Sequence, residues 1–330
     1  MKNETRFLYH SFPRPRSSET QSQTANRGWA ILESMQKLGL VLAPEVVEWD
    51  DPVGLGTPSP IQVLQRRICF TELHPGELGG HSTRFGPFAL EFDTNALRRI
   101  GALPVIYMPQ ALSTQDHLAL LGPFVVGHLS QIRSSLEKLY ELDQLDNLEN
   151  WQAQHPEATS ISDDCSVKLR NVDDSDGVVQ EFEVPVKTIR GVLNYLGFRT
   201  APFNAMIGAA SIAQAMFYPT DDEHQNQELG YYRQREWRIT ADYSVNGSPR
   251  GRSLQDEEKE LLLGLDQSFW GRQTHPSREH RRVDEALALV QPTPSELIAM
   301  VGRLIVPDDF ADKARKIFGD RVTPKSQLAS

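Results

Sequence analysis

The chain has 330 residues, 39% of them hydrophobic and 24% charged, and a formal net charge of −10. That length can bury a large core, as one elaborated domain or two modest ones, and the acidity opposes binding nucleic acid through its phosphates, which needs a basic surface. No run nears the ~20 apolar residues of a membrane span, the start MKNETRFLYH lacks a signal-peptide core, and Cys69 and Cys165 show neither a disulfide framework nor a metal spacing. The expectation is a cytoplasmic protein with no membrane contact and no metal.

In chain order, the aromatic run Arg6 to Phe12 reads as a strand, and the polar, Pro-bearing residues 13 to 26 as a loop. Asn26 is placed to cap a helix in which Trp29, Ile31, Leu32, Met35 and Leu38 recur at helical spacing and Gly39 marks the end. Residues 43 to 60 read as a Pro/Gly-rich connection. Strands follow at 61–72, 88–93 and 103–108, with a polar loop carrying His74, His81, Ser82 and Arg84 before the second and a short helix at 94–100 before the third.

From 115 to 152 the spacing of Leu118, Leu121, Val125, Leu129, Ile132, Leu136 and Leu139 predicts a long helix, broken or kinked early by Gly122-Pro123. An acidic, turn-rich hairpin or loop over 155–180 leads to helices at 185–197 and 203–217. Strand 235–243, helix 254–266, strand 297–306 and helix 308–318 close the chain. The fold class is α+β: a mixed or antiparallel sheet core from 1–114 and 218–330, with a helical insert over 115–217.

Four places hold residues suited to chemistry. His10 ends the first strand and can bind a hydroxyl, act as a base or simply satisfy itself within the fold. Thr71 and Glu72 emerge on opposite faces of their strand; Cys69 and Thr71 share the smaller, more polar face, opposite Ile68 and Phe70. His81, Ser82 and Arg84 follow Gly79-Gly80, a pair with room for close approach to a ligand, in what is otherwise an ordinary surface loop. Glu236 shares a strand face with Arg238, away from Trp237 and Ile239. It is either a plain ion pair or a site carboxylate that the arginine orients. Two arginine clusters, Arg233 with Arg235 and Arg238, and Arg278, Arg281 and Arg282 with His275 and His280, are local basic patches in an acidic chain.

The runs Phe7-Leu8-Tyr9-His10, Cys69-Phe70-Thr71-Glu72, Arg84-Phe85-Gly86-Pro87-Phe88 with Pro104-Val105-Ile106-Tyr107, and Arg235-Glu236-Trp237-Arg238 resemble, in this order, the AbiGi-type abortive-infection proteins of prokaryotic phage defence. The resemblance covers the first 110 residues and a patch near 231–240. A first-strand histidine, a second-strand hydroxyl or aromatic and a late-strand glutamate also resemble the layout of ADP-ribosyltransferases, although no tyrosine stands at the second-strand place. That resemblance implies catalytic His10, Thr71 and Glu236 and NAD as substrate. The site is expected to draw on His10, Phe70, Thr71, His81, Arg84 and Arg238, and the acceptor to be a macromolecule (nucleic acid included) or water. The competing expectation is a non-catalytic, antitoxin-like or regulatory component that binds a toxin, antitoxin or phage protein through an apolar surface on the insert.

Overall fold

Alternation along one long strand organises the molecule. The computed structural model describes residues 7–49, 61–109, 121–144, 166–172, 178–195, 203–220, 235–241, 244–245, 248–249, 251–272, 288–290 and 293–328. The N-terminal elements are β1 (Phe7–Phe12), α1 (Gln21–Leu38), β2 (Val41–Trp49), β3 (Ile61–Glu72), α2 (Leu78–Phe85), β4 (Phe88–Asp93), α3 (Thr94–Arg99), β5 (Leu103–Pro104) and β6 (Ile106–Pro109). Next come α4 (Leu121–Gln144), β7 (Ser166–Val172), β8 (Val178–Pro185), α5 (Val186–Tyr195), α6 (Phe203–Met216) and β9 (Phe217–Thr220). The C-terminal elements are β10 (Glu236–Thr240), β11 (Ser244–Val245), β12 (Ser248–Pro249), β13 (Gly251–Ser253), α7 (Asp256–Leu265), α8 (Gln267–Trp270), β14 (Ala288–Val290), α9 (Pro294–Met300), β15 (Val301–Val306), α10 (Ala311–Phe318) and β16 (Val322–Pro324).

The chain divides into two compact units, 1–127 with 212–330, and 128–211. The first holds a ten-stranded sheet of order β13-β14-β2-β3-β1-β4-β15-β16, with β10 on β3 and β5 on β10. All its pairings are antiparallel except β15 with β16, so the sheet is mixed and the fold is α+β. The second unit contains the β7–β8 hairpin, α5 and parts of α4 and α6. Among the described residues no helix is long and apolar enough to cross a membrane.

Register decides what each face of β3 does. Leu8, Phe12, Ile68, Phe70, Leu90, Phe92 and Ile239 lie on one face and form the main core with Trp29 and Leu32 of α1, Leu297 of α9 and Ala314 and Phe318 of α10. Burying side chains of this size is worth ~1.5–3 kcal/mol each, and the helices cover this face because their apolar stripes match it. The opposite face carries Gln65, Arg67, Cys69 and Thr71, which alternate with the core residues.

Several sequence expectations give way to local chemistry. Helix α1 begins before Asn26, because Thr20 and Gln23 cap each other's backbone N–H groups (3.2 and 2.8 Å). The first part of the expected 43–60 connection is strand: β2 pairs with β3 from Ala43 to Trp49, Pro44 is tolerated where β2 has run past its other neighbour, β14, and residues 50–60 lie outside the described residues. Residues 78–85 form a helix, α2, where a loop is expected. At its end Gly86 has φ +134, and a Cβ there would lie 2.3 Å from the backbone of Phe12, so only glycine fits. Residues 297–300 belong to α9, where Thr293 and Glu296 make a capping box and Pro294 opens the helix, leaving the strand to start at Val301. Gly122 and Pro123 stand among the first three described residues of α4, and residues 110–120 before them lie outside the described residues. Arg233 and the basic cluster from His275 to Arg282 lie outside the described residues.

Candidate active site

Strand pairing brings Glu236 and Thr71 together. Both β10 and β1 pair with β3 at Thr71, Glu236 on one edge and Tyr9 on the other. The strand order β10–β3–β1 spans two strand spacings, about 10 Å. Paired residues share a face, so Glu236, Arg238 and Thr240 line up beside Thr71, Cys69 and Arg67. The carboxylate is held at both oxygens. Arg238 Nε donates to Oε1 at 2.6 Å, and the Tyr107 hydroxyl donates to Oε2 at 2.6 Å.

Arg238 is buried and Glu236 partly buried, at 3% and 13% side-chain exposure. Burial alone would raise the Glu236 pKa, but the Arg238 charge, with hydrogen bonds from Arg238, Cys69 and Tyr107, holds it below the usual glutamate value. It is a fixed, ionised carboxylate. The same burial, followed by the negative charge of Glu236, pushes the Cys69 thiol up to about 12, so Cys69 stays protonated and is no nucleophile.

The polar row continues away from Glu236. Arg238 Nη1 and Arg67 Nη1 both donate to Gln65 Oε1, at 3.3 and 2.6 Å, and Arg67 Nη2 donates to Glu45. Gln65 Nε2 donates to the Gln214 carbonyl at 3.1 Å. The row therefore holds two cations and two carboxylates with their hydrogen-bonding groups matched, the condition under which buried charge is tolerated. A narrow crevice reaches it between β5, β10 and the end of α6, with Arg238 and Thr240 beside apolar Leu103, Val105, Ile212 and Met216.

On the β1 side, α2 places His81 across the sheet. Its Nε2 is 3.2 Å from Thr71 Oγ1 and its Nδ1 is 3.1 Å from Ser11 Oγ. One ring nitrogen must donate and the other accept, so the imidazole links the two hydroxyls. Burial lowers its pKa to about 4, aided by the charges of His10 and Arg84. It is neutral at pH 7. The Arg235–Glu77 ion pair (2.7 Å) ties the residue before Glu236 to the start of α2, and Arg235 itself adopts φ 42, a conformation few non-glycine residues accept.

His10 takes a different place from the expected one. Alternation turns Tyr9 and Ser11 toward the polar row and His10 toward the core side, where its ring lies 5.5 Å from Phe12 and 5.7 Å from Phe70. Its Nδ1 is 2.8 Å from the Cys69 carbonyl oxygen. A carbonyl only accepts, so Nδ1 carries the hydrogen and Nε2 the lone pair. Burial holds the His10 pKa below its ordinary value. Phe70 needs correction as a ligand contact: it is 0% exposed within the main core. Arg84 stacks on Phe85 (5.8 Å) at the far end of α2.

The structure thus gathers Glu236, Arg238, Thr71 and His81 on one face, sets His10 at the edge of β3 on the other, and removes Phe70. Sequence reasoning misses Tyr107, Gln65, Arg67 and Tyr218. The period-two polar run Gln65, Arg67, Cys69, Thr71 is the signal for two of them. Tyr107 reaches Glu236 because β5 pairs with β10 at Leu103 and Pro104, and Val105 N–H donates to the Glu236 carbonyl (2.8 Å). Among the described residues no three His, Cys, Asp or Glu side chains group as a metal site. Comparison with family models, curated proteins and solved structures finds no match to the chain.

Proposed function

We propose that the protein cleaves the nicotinamide–ribose bond of NAD, passing ADP-ribose to a macromolecule or to water, as a phage-defence effector. The observation that carries this reading is Glu236: an ionised carboxylate, partly buried and clamped from two sides, directly across the ladder from Thr71. Breaking that bond builds positive charge on the sugar. A carboxylate that is already desolvated and oriented stabilises such charge without reorganising.

Thr71 and His81 then supply neutral hydroxyl and imidazole groups for sugar or acceptor oxygens, while His10, on the opposite face, takes no part. The test is purified protein incubated with NAD, with nicotinamide release followed by chromatography. Glu236→Gln is expected to lower release by ~100-fold or more, the scale on which one preorganised electrostatic group acts. Release at the wild-type rate in that variant refutes the role.

One observation favours a second reading, a non-catalytic protein-binding component. In the unit spanning 128–211, Ile132, Phe182, Val192 and Tyr195 are exposed, Tyr195 at 90%. Exposed apolar side chains of this size mark contact surfaces when they cluster. If cells expressing Phe182→Ser with Tyr195→Ser lose phage resistance while Glu236→Gln cells keep it, this reading replaces the first.

A further inference from the structure

Two tyrosines close over the polar row. Strands β6 and β9 pair in parallel with Tyr107 opposite Tyr218, their rings edge to face at 6.2 Å. Tyr107 gives its hydroxyl to Glu236. The Tyr218 ring lies against two guanidiniums, Arg238 at 4.6 Å and Arg67 at 5.0 Å. Both guanidiniums are tied from behind, Arg67 to Glu45 and Gln65, Arg238 to Glu236 and Gln65. They are therefore fixed, dehydrated planes, which stack well on flat aromatic rings.

A ring on the guanidiniums and a hydroxyl on the carboxylate are also the contacts a base and its ribose would make. We infer that Arg67 and Arg238 form the site of the nicotinamide ring, and that Tyr218 and Tyr107 occupy the places of the ring and of a ribose hydroxyl until substrate displaces them. This rests on the reading of Glu236 as the carboxylate facing the sugar, and it adds a reason for the bond to break. In NAD the ring carries the positive charge. As the C–N bond breaks, its electron pair goes to the ring nitrogen, the ring becomes neutral nicotinamide, and the charge moves to the sugar carbon. The oxygen of water or of an acceptor hydroxyl then bonds to that carbon and releases its proton to solvent. Guanidiniums beside the ring disfavour the charge at its starting place, and Glu236 favours it at its destination, so the row fits the transition state better than the substrate.

The contrast with a merely structural cover is measurable. Nicotinamide and the 1-methylnicotinamide cation have the same ring and opposite suitability for a cationic platform. In titrations of the full-length protein, nicotinamide is expected to bind at least roughly tenfold tighter than the methylated cation, as neighbouring like charges require. Tyr218→Leu, which clears the ring's place, is expected to bind nicotinamide about fivefold tighter than wild type, the scale of one displaced cation–π contact. Tyr218→Phe keeps the stack but gives up the hydroxyl's hydrogen bond with Arg67, so it is expected to fall between wild type and Tyr218→Leu. Equal or tighter binding of the cation overturns the inference, and so does unchanged or weaker nicotinamide binding by a folded Tyr218→Leu protein. If that binding pattern appears without any consumption of NAD, the ring site stands and the catalytic reading falls. If NAD is consumed in a Glu236-dependent way without that pattern, the reverse holds.

Discussion

The two faces of β3 and β10 use the same backbone for opposite purposes. On one, Ile68, Phe70 and Ile239 bury apolar surface against α1, α9 and α10, where shape and volume matter and charge is absent. On the other, Gln65, Arg67, Thr71, Glu236 and Arg238 hold charge in fixed geometry, where removing one partner strands the next. The first face makes the sheet stiff, and the second exploits that stiffness to keep a carboxylate ionised away from water. A pleated strand makes this division possible, because neighbouring residues never share a face.

The comparison breaks most visibly at Phe70. Phe70→Ala should lower unfolding free energy by about 4 kcal/mol, since the ring is fully buried between Phe92 and His10 and leaves a cavity. Denaturant melts measure this. A loss below ~1 kcal/mol would mean the core face is not what holds the sheet. On the polar face, Glu236→Gln should cost about 2–3 kcal/mol, toward the low end for a broken buried pair because the amide can still accept from Arg238. Its effect on turnover should exceed its effect on stability at the assay temperature, the signature that separates the faces.

Acid should weaken the polar face first. His81 has a folded pKa of about 4 against an ordinary 6.5, so the unfolded chain takes up a proton first as pH falls. Its contribution is complete above pH 6.5 and fades between 6.5 and 4. Glu236 also has a lowered pKa, but as a carboxylate: its contribution is complete above the ordinary value of 4.5 and is lost as pH falls through the lower folded value. Thermal melts from pH 7 to 4 should thus decline, and His81→Asn should flatten the upper part of that decline. An unchanged slope would remove the imidazole from the argument. The smallest effect is expected from Thr71→Val, which removes one hydrogen bond to His81 and costs about 1 kcal/mol.

These faces were partly legible in the sequence. Alternation correctly separates Glu236 and Arg238 from Trp237 and Ile239, and Thr71 from Phe70, because period-two patterning is local. The same rule applied to β1 puts His10 with Leu8 and Phe12, on the face opposite Thr71, and a place at a strand end does not change that. Helix α2 escaped notice because Gly79 and Gly80 argue against a helix, yet its buried Leu78 and Ser82 and the glycine stop at Gly86 sustain one. Tyr107 meets Glu236 through the pairing of β5 with β10, and Glu45 meets Arg67 through the pairing of β2 with β3, neither of which a local pattern announces.

The most direct test compares two substitutions three residues apart, on opposite faces of β10: nicotinamide release from NAD by Glu236→Gln and by Ile239→Val, each scaled to the folded fraction. The account predicts near-complete loss for the carboxylate variant and near wild-type release for the core variant. Equal release from both would contradict it.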